Sequence, residues 1–418
     1  MEFQRKQYLQ QLIEGQQSNM VKIVTGIRRC GKSYLLFNIF KKHLLASGTD
    51  EKHIIGLSME DMRNEHLVEP RALLEYIDSK NPNDGHTTYV IIDEVQMVDN
   101  FVGVLLSLMH TPDMQVYVSG SNSKFLSSDV VTEFRGRGWE IRVHPLSFAE
   151  YYEEIGGNYQ EALTMYYRYG GLPYVATLPT EKAKKQYLRS VFETTYLKDV
   201  IDRNHLRNPD GMRHLIQVLA SDIGACTNPT KIANTFQTNE KISISANTIS
   251  DYLQYLQDAF IINEAQRYDV KGRKYIGTAS KYYFEDLGIR NMLLNFRQQE
   301  ENHIMENVMY NELCLRGYNV DVGQVEVWEK DTKGKYVRKN LEVDFVANNP
   351  PQRMYIQSAY DLPTREKTLQ EQRPLVNISD HFKKVLVLEK SSQPEWIDEE
   401  GVQIIGLKDF LLNFNILD

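Results

Sequence analysis

A glycine-rich loop between an apolar run and a helical pattern constrains the fold of this chain more than any other feature. The run MVKIVTG leads into Gly26-x-x-x-x-Gly31-Lys32-Ser33, and SYLLFNIFKKHLL follows with apolar residues at helical spacing. Glycines let backbone N–H groups turn inward around phosphates, and the start of the helix adds partial positive charge. The pattern therefore predicts a P-loop between a strand and a helix, in an α/β domain that binds a nucleoside triphosphate.

The residue types within the loop follow from phosphate chemistry. Lys32 is expected to reach the β- and γ-phosphates, and the Ser33 hydroxyl is expected to ligate Mg²⁺. The alternative is a plain glycine turn before a core helix, which the strand and helix flanks disfavour. The residues expected to contact the nucleotide are Gly26, Ile27, Arg28, Arg29, Cys30, Gly31, Lys32, Ser33 and Tyr34.

A second buried strand is predicted in TTYVIIDEVQ, which ends in two carboxylates. Acids at the C-terminal edge of a parallel strand lie where such sheets bind ligands. Asp93 is expected to hold Mg²⁺ through water, and Glu94 to orient and deprotonate the attacking water. Asp-Glu after a strand is common in isolation, and its place after the P-loop makes the functional interpretation the stronger one.

Further polar residues follow two more predicted strands. MQVYVSGSN is a third strand, after which Ser121 or Asn122 could hydrogen-bond the attacking water or the γ-phosphate. Arg135 and Arg137 lie in a glycine-rich loop before a last strand, where an arginine can stabilise charge on the transferred phosphoryl group within its own subunit or across an interface. The alternatives are a simple polar turn and solvated loop arginines.

Several segments together resemble a known family. GIRRCGKS, IIDEVQ, VSGSN, FRGRGWEIRVHPLSFAEY and YGGLPYV occur in the order seen in a widespread group of prokaryotic AAA+-like ATPases that carry a C-terminal domain of unassigned function. The resemblance extends past residue 340 and implies binding and hydrolysis of ATP with Mg²⁺, without a defined substrate. Gly171-Leu172-Pro173 is similar to the lid motif beside the nucleotide, so Pro173 joins the candidate site; a helix-ending glycine turn is the alternative.

The middle of the chain is helical and predicts a helix-turn-helix. PTKIANTFQTN and ISANTISDYLQYLQDAFIINEA are the two helices, with Ser245 or Asn247 as the N-cap of the second. A two-stranded wing around residues 271–273 follows, and residues 267–281 hold five basic side chains against one acidic side chain. This arrangement is typical of DNA-binding proteins, although many winged helices bind proteins instead.

The last third resembles a restriction-endonuclease-like core with missing parts. Glu306 lies on a predicted helix and Asp344 on a predicted strand, but Gln357, Ser358 and Ala359 stand where that core carries Glu-x-Lys. The resemblance therefore implies a scaffold that does not cleave DNA. The alternative is a divergent nuclease that recruits a lysine from elsewhere, such as Lys339 or Lys367.

Composition limits the remaining possibilities. The formal net charge of −8 excludes a globally basic nucleic-acid coat, and three scattered cysteines predict a reducing cytoplasm. No apolar run is long enough to cross a membrane. The expected fold class is α/β, with a P-loop ATPase core at 1–150, a helical lid at 151–205, a winged-helix domain at 206–297 and a nuclease-like domain at 298–418. ATP is the expected ligand, DNA or a protein the expected partner, and a homo-oligomer is compatible with the arginine loop.

Overall fold

The structure is a computed structural model, and it describes residues 1–120, 136–240, 244–297, 300–330, 332, 334–390 and 395–417. It divides into two compact units. The N-terminal unit comprises Met1–Leu146 together with Leu172–Thr177 and Asp258–Phe260. The C-terminal unit comprises Ser147–Gly171, Leu178–Gln257 and Ile261–Asp418.

The N-terminal unit is built on a five-stranded parallel sheet with the order β2-β3-β4-β1-β5. The strand β4 therefore lies between β1, which leads into the glycine loop, and β3, which ends in Asp93. All five residues of β1 are buried, as expected for a parallel strand that is covered on both faces. The strands are Val21–Thr25 (β1), Ile54–Ser58 (β2), Thr88–Asp93 (β3), Met114–Ser119 (β4) and Gly138–Arg142 (β5).

Helices on the sheet bury apolar residues such as Leu73, Ile77 and Leu105 against the strands. The helix after the glycine loop is α-helical over Lys32–Tyr34, π-helical over Leu35–Phe40 and α-helical again over Lys41–Ala46. The other α-helices of this unit are Lys6–Gly15, Pro70–Lys80, Phe101–Met109 and Pro173–Thr177, and the 3-10 turns are Glu51–His53, Met62–Val68 and Val95–Met97. The predicted strands and P-loop helix are confirmed.

The C-terminal unit contains an eight-stranded mixed sheet with the order β12-β13-β11-β10-β9-β8-β6-β7. Its long hairpin of β8 and β9 is antiparallel, and β6 joins β8 in parallel through the pair Tyr268 and Gly323. The strands are Ile262–Asp269 (β6), Lys274–Phe284 (β7), Asn319–Lys330 (β8), Tyr336–Asn349 (β9), Gln352–Ala359 (β10), Lys383–Leu388 (β11), Trp396–Ile397 (β12) and Gln403–Gly406 (β13).

Helices make up the first part of this unit, as the sequence predicts for the segment after residue 180. Asn228 caps the first helix of the predicted helix-turn-helix, and the Ser245 hydroxyl accepts a hydrogen bond from the Thr248 amide at the start of the second. The helices are Phe148–Ile155, Tyr159–Tyr169, Glu181–Val191, Phe192–Leu197 (π), Lys198–Arg203, Pro209–Ser221, Pro229–Thr235, Phe236–Glu240 (π), Ala246–Asp258, Leu287–Leu293, Glu301–Leu315, Arg365–Val376, Leu407–Leu412 and Phe414–Leu417 (3-10).

The predicted wing differs from expectation in its surroundings. Its two strands are β6 and β7, and they pair antiparallel as predicted. They are also the last two strands of the eight-stranded sheet, so the hairpin does not stand apart from the segment expected to be nuclease-like. The expected boundary at residue 297 falls inside one compact unit, because strands on both sides of it share backbone hydrogen bonds.

Candidate functional site

The loop between β1 and its following helix has the backbone that phosphate binding requires. Gly26 has φ 136°, and a Cβ atom there would lie 2.1 Å from the carbonyl oxygen of Val143. Gly31 has φ 103° and Arg29 has φ 67°, so two further loop residues are left-handed. Only glycine tolerates the position of Gly26, which explains the first glycine of the motif.

Lys32 is the first residue of the helix, and its side chain folds back over the loop. Its ammonium group donates to the carbonyl oxygens of Gly26 at 2.8 Å and of Ile27 at 3.2 Å. Lys32 is 5% exposed. The loop backbone therefore holds this cation at the start of the helix, where both its charge and the helix dipole attract anions.

Two carboxylates lie at the C-terminal end of β3, as predicted. Asp93 is buried and accepts a hydrogen bond from the hydroxyl of Ser119 on the neighbouring strand β4. Glu94 has φ 53° and accepts a hydrogen bond from the side-chain amide of Gln96. Because β4 lies between β1 and β3, Ser119 orients Asp93 from the strand next to the P-loop.

A cavity of about 520 Å³ lies over the loop. It brings together most of the predicted site, since Arg28, Arg29, Cys30, Gly31, Lys32, Ser33, Tyr34, Glu94 and Pro173 all line it. Gly26, Ile27 and Asp93 are not among its lining residues. Gly26 and Ile27 contribute carbonyl oxygens to Lys32, and Asp93 directly precedes Glu94 at the end of β3. Asn122 and Arg135, two predicted catalytic residues, lie outside the described residues, as does Ser121.

The cavity also has residues that the sequence did not single out. Met1, Glu2, Phe3 and Arg5 line it from the start of the chain, and Tyr174 and Thr177 line it beside Pro173. No pattern in the N-terminal residues predicted this role. Glu60 lines the cavity too, and it follows β2 as Glu94 follows β3, so its position at the end of a parallel strand was an available signal.

The pKa of Glu60 reflects the charged groups around this cavity. Its pKa is raised, first by burial and then by the neighbouring carboxylates Glu94 and Asp93, while Arg28 and Arg29 act in the opposite direction. Three acidic and four basic side chains thus line this cavity: Glu2, Glu60, Glu94, Arg5, Arg28, Arg29 and Lys32. This donor set fits a nucleoside triphosphate with Mg²⁺, because the cations match the phosphates and the Ser33 hydroxyl and Asp93 carboxylate are oxygen ligands that Mg²⁺ accepts.

Arg137 is placed away from the cavity of its own chain. Its carbonyl oxygen accepts a hydrogen bond from the Val21 amide, at the start of β1, whereas the loop follows Thr25 at the other end of that strand. Val21 and Thr25 are four residues apart along β1, which corresponds to about 13 Å. The Arg137 backbone therefore lies at the far end of β1 from the loop, and the action of Arg137 on a phosphate, in its own subunit or across an interface, stays a prediction.

A second cluster of charges lies in the C-terminal unit, and it was not predicted. The Lys281 ammonium on β7 lies 2.8 Å from Glu306 and 2.8 Å from Glu342, and its side chain is 4% exposed. We call Lys281, Glu306, Glu342 and Asp344 the Lys281 cluster. The sequence counted Lys281 as part of an exposed basic wing, which is wrong, because alternation along β7 and the cover of helix Glu301–Leu315 bury it.

The pKa values of the cluster reflect its mixed charges. Burial raises the pKa of Asp344 to about 7, with a further contribution from the Glu306 charge, against the opposing effects of Lys281 and Ser358. Burial also opposes ionisation of Glu306, but the Lys281 charge, the nearby His303 and hydrogen bonds from Lys281 and Tyr283 outweigh it and lower its pKa. Lys281 is therefore the cation that keeps Glu306 ionised.

The residues expected at the nuclease-like position are also close together. Asp344 accepts from the amide and the hydroxyl of Ser358 at 2.9 and 2.7 Å, and the Gln357 side chain accepts from the Asp344 amide. Lys367 pairs with Glu371 and Lys339 with Glu329, so neither predicted substitute lysine is paired with this cluster. Within the described ranges, no group of three or more His, Cys, Asp or Glu side chains is arranged to hold a metal ion.

The remaining basic residues of the hairpin differ in exposure. Arg267 is bonded to Gln324 within the sheet. Lys271, Arg273 and Lys274 are exposed at the turn between β6 and β7, and we call these three residues the basic tip. Among the described helices, none is both long and apolar enough to span a bilayer.

Two family models match successive parts of the chain. A family model described as an AAA domain matches residues 18–152, and one described as a domain of unknown function (DUF8612) matches residues 160–300. An uncharacterized protein of Methanocaldococcus jannaschii is 29% identical over 362 residues, which are 84% of this chain and 76% of that protein.

Two solved structures are similar to this chain at lower sequence identity. A Walker-type ATPase of Pyrococcus abyssi is 15% identical with a TM-score of 0.47, covering 70% of this chain and 96% of that one. The Aeropyrum pernix Orc1 protein, in a complex with DNA, is 11% identical with a TM-score of 0.30, covering 71% and 93%. Neither TM-score reaches 0.5, so neither structure defines the fold of this chain.

An uncharacterized protein of Haemophilus influenzae is 31% identical over 413 residues, which are 98% of this chain and 98% of that protein. Identity at this level along the full length joins the two proteins in one family. The AAA match lies over the five-stranded sheet and its glycine loop. The chain therefore belongs to the family of the Haemophilus influenzae protein, and its N-terminal unit contains an AAA domain of the P-loop ATPase kind.

Proposed function

We propose that the N-terminal unit hydrolyses ATP with Mg²⁺. One observation carries the proposal: the cavity over the loop gathers Lys32, Ser33 and Glu94, and Asp93, the residue before Glu94, accepts a hydrogen bond from Ser119. Phosphate binding, metal ligation and water activation need these residue types at one place. A protein that only stored the nucleotide would not need a carboxylate at the position of Glu94.

Each residue has a proposed task. The loop amides and Lys32 bind the phosphates, which requires the Lys32 ammonium to exchange its bonds to the loop carbonyls for bonds to phosphate oxygens. Ser33 and Asp93 would hold Mg²⁺, which would neutralise charge on the phosphates. The aromatic side of the cavity, with Phe3, Tyr34 and Tyr174, is proposed to take the base.

Glu94 is proposed as the general base that orients the attacking water and accepts its proton. The side-chain amide of Gln96 donates a hydrogen bond to the Glu94 carboxylate. Glu60 lies near Glu94, and the Glu94 charge contributes to the raised pKa of Glu60. Gln96 is a positioning residue in this proposal.

Arg135 and Arg137 are proposed to act across an interface between copies of the chain. The place of Arg137 at the far end of β1 supports an action in a neighbouring subunit rather than in its own. A homo-oligomer is part of this proposal. Asn122, which follows β4 in the sequence, is proposed to contact the attacking water.

We propose that the nucleotide cycle controls engagement of DNA or a protein partner. The helix-turn-helix and the exposed basic tip support contact with duplex DNA, as a winged helix would make it. The alternative is a regulatory switch with incidental hydrolysis, which the presence of Glu94 disfavours. The cytoplasmic location expected from the cysteines stays a prediction.

The C-terminal sheet is proposed to be a nuclease-like scaffold without cleavage. Gln357 and Ala359 replace the acid and the lysine of the expected motif, and the Lys281 ammonium bonds to Glu306, one of the two remaining acids. A bound ammonium competes for the same carboxylate oxygens that a divalent cation would need. These residues therefore do not fit a catalytic metal.

The ATPase proposal is tested with two variants and their matched controls. Lys32→Ala should abolish tight ATP·Mg²⁺ binding, whereas Lys42→Ala, an exposed lysine of the same helix, should not change it. Glu94→Gln should bind ATP but lose turnover by about 10²- to 10⁴-fold, and the exposed Glu65→Gln should retain it. Hydrolysis by Glu94→Gln at the wild-type rate would refute the assignment of the base.

A further inference from the structure

The hairpin of β8 and β9 extends an unusual solvent face. Trp328 pairs with Arg338, and Lys330 pairs with Tyr336, so all four side chains share one face of the ribbon. We call Trp328, Lys330, Tyr336 and Arg338 the ladder. Trp328 is 63% exposed and Tyr336 is 60% exposed, so two large aromatic side chains face water in one patch.

The opposite face of the same ribbon packs in the core and stabilises the hairpin, so the ladder is not needed for folding. Val325 and Val327 alternate with the ladder residues along β8 and are buried in the core of the C-terminal unit. The sheet therefore gains its stability from one face and leaves the other without an internal packing role. Exposed aromatic patches on an otherwise polar surface mark interaction sites.

The ladder alternates aromatic and cationic groups. The Lys330 ammonium lies 5.4 Å from the centre of the Tyr336 ring, and Arg338 bonds to Glu326 while its side chain stays 58% exposed. Trp328 and Tyr336 are two residues apart along the ribbon, about 7 Å. This spacing is about twice the 3.4 Å rise of stacked bases, which leaves room for a base on each ring.

A second basic element lies beside the ladder. β6 runs parallel to β8, and the Lys271 ammonium of the basic tip donates to the backbone carbonyl of Glu326 at 2.6 Å. The basic tip therefore lies next to the start of the ladder, in a chain whose net charge is −8. Cations concentrated at one edge of an acidic protein indicate an anionic, extended partner.

We propose that the ladder binds single-stranded nucleic acid, with bases on Trp328 and Tyr336 and phosphates on Lys330 and Arg338. Base stacking on aromatic side chains combined with a cationic track is the chemistry of sequence-tolerant single-strand binding. A duplex offers phosphates but keeps its base faces stacked inside, so it would leave both rings unused. This surface is separate from the ATP cavity and goes beyond the duplex contact proposed for the basic tip.

The test measures anisotropy of a fluorescent oligothymidylate and of a duplex of equal length, without nucleotide, so the result does not depend on ATP hydrolysis. The full-length protein should bind the single strand more tightly. Trp328→Ala and Tyr336→Ala should each weaken this binding about tenfold to hundredfold. Lys330→Gln with Arg338→Gln should reduce the slope of log affinity against log salt by about 1.4.

Matched controls lie at the opposite edge of the same sheet. Ile397→Ala removes a side chain that is 70% exposed on β12, and Lys390→Gln removes an exposed lysine; neither should change binding. The proposal is overturned if the single strand does not bind, if the duplex binds equally well, or if both aromatic variants bind like wild type. Binding to anionic phosphatidylserine vesicles in place of the oligonucleotide would overturn it as well.

Discussion

Replacing Lys281 with Met should destabilise the C-terminal unit because it leaves Glu306 buried without its cation. The Lys281 side chain is 4% exposed and the Glu306 side chain is 8% exposed, so water cannot replace the lost interaction. Removing one partner of a buried ion pair costs about 3–5 kcal/mol. Glu342 is 41% exposed and can be solvated, so the loss concerns Glu306 first.

In the Lys281→Met variant, protonation of Glu306 limits the loss of stability and makes that loss depend on pH. From an ordinary pKa of 4.5, neutralising the side chain at about pH 7.5 requires about 4 kcal/mol, since each pH unit is worth about 1.4 kcal/mol. At about pH 5.5 the same step requires about 1.4 kcal/mol. Lys281→Met should therefore lower the free energy of unfolding of the C-terminal unit by about 4 kcal/mol at the higher pH and by clearly less at the lower pH.

Hydrogen exchange in low urea, read on peptides from β7 and helix Glu301–Leu315, measures this unit separately from the N-terminal unit. Lys274→Met is the matched control, because Lys274 lies on the same strand and is exposed. Its free energy of opening should stay within about 0.5 kcal/mol of wild type. The double variant Lys281→Met with Glu306→Gln should recover most of the loss, since the buried Glu306 charge is removed together with its cation.

Three results would each refute the reasoning about this cluster. The first is a loss below about 1 kcal/mol for Lys281→Met at about pH 7.5. The second is an equal loss at both pH values, which would mean that Glu306 does not titrate in the variant. The third is a double variant no more stable than the single one, which would assign the loss to packing of the lysine stem.

Three further predictions concern binding and catalysis. Replacing the basic tip with serines should weaken duplex DNA binding for all sequences and lower its salt dependence, and unchanged affinity would leave the tip as solvated surface. The purified protein should not cleave single-stranded, duplex or branched DNA with Mg²⁺ or Mn²⁺; cleavage that disappears in Asp344→Ala would show a live nuclease. Alanine at the acting residue, Arg135 or Arg137, should reduce kcat far more than ATP affinity, with turnover per chain rising with protein concentration; full activity of both variants and flat specific activity would exclude the role.

Local chemistry was enough to predict the nucleotide loop. The glycine spacing of the loop and the start of the helix at Lys32 are local features, so the motif alone predicted them. The close approach of Gly26 to the Val143 carbonyl comes from a distant part of the chain and was not predicted. The strand that ends in Asp93 was predictable for the same reason, because an apolar run followed by acids describes a parallel strand end. The same holds for the N-cap at Ser245 and for the hairpin of β6 and β7.

Residues brought together from distant parts of the chain could not be predicted. Lys281 and Glu306 are 25 positions apart, and only the packing of helix Glu301–Leu315 on β7 turns an apparently exposed lysine into a buried one. Likewise the sequence predicted that Arg137 acts at the nucleotide site. The strand β5 runs parallel to β1, so Arg137, which precedes β5, lies at the end of β1 opposite the P-loop. Periodicity describes which residues an element buries, whereas the partner that covers them depends on strand order, and strand order is a property of the folded sheet.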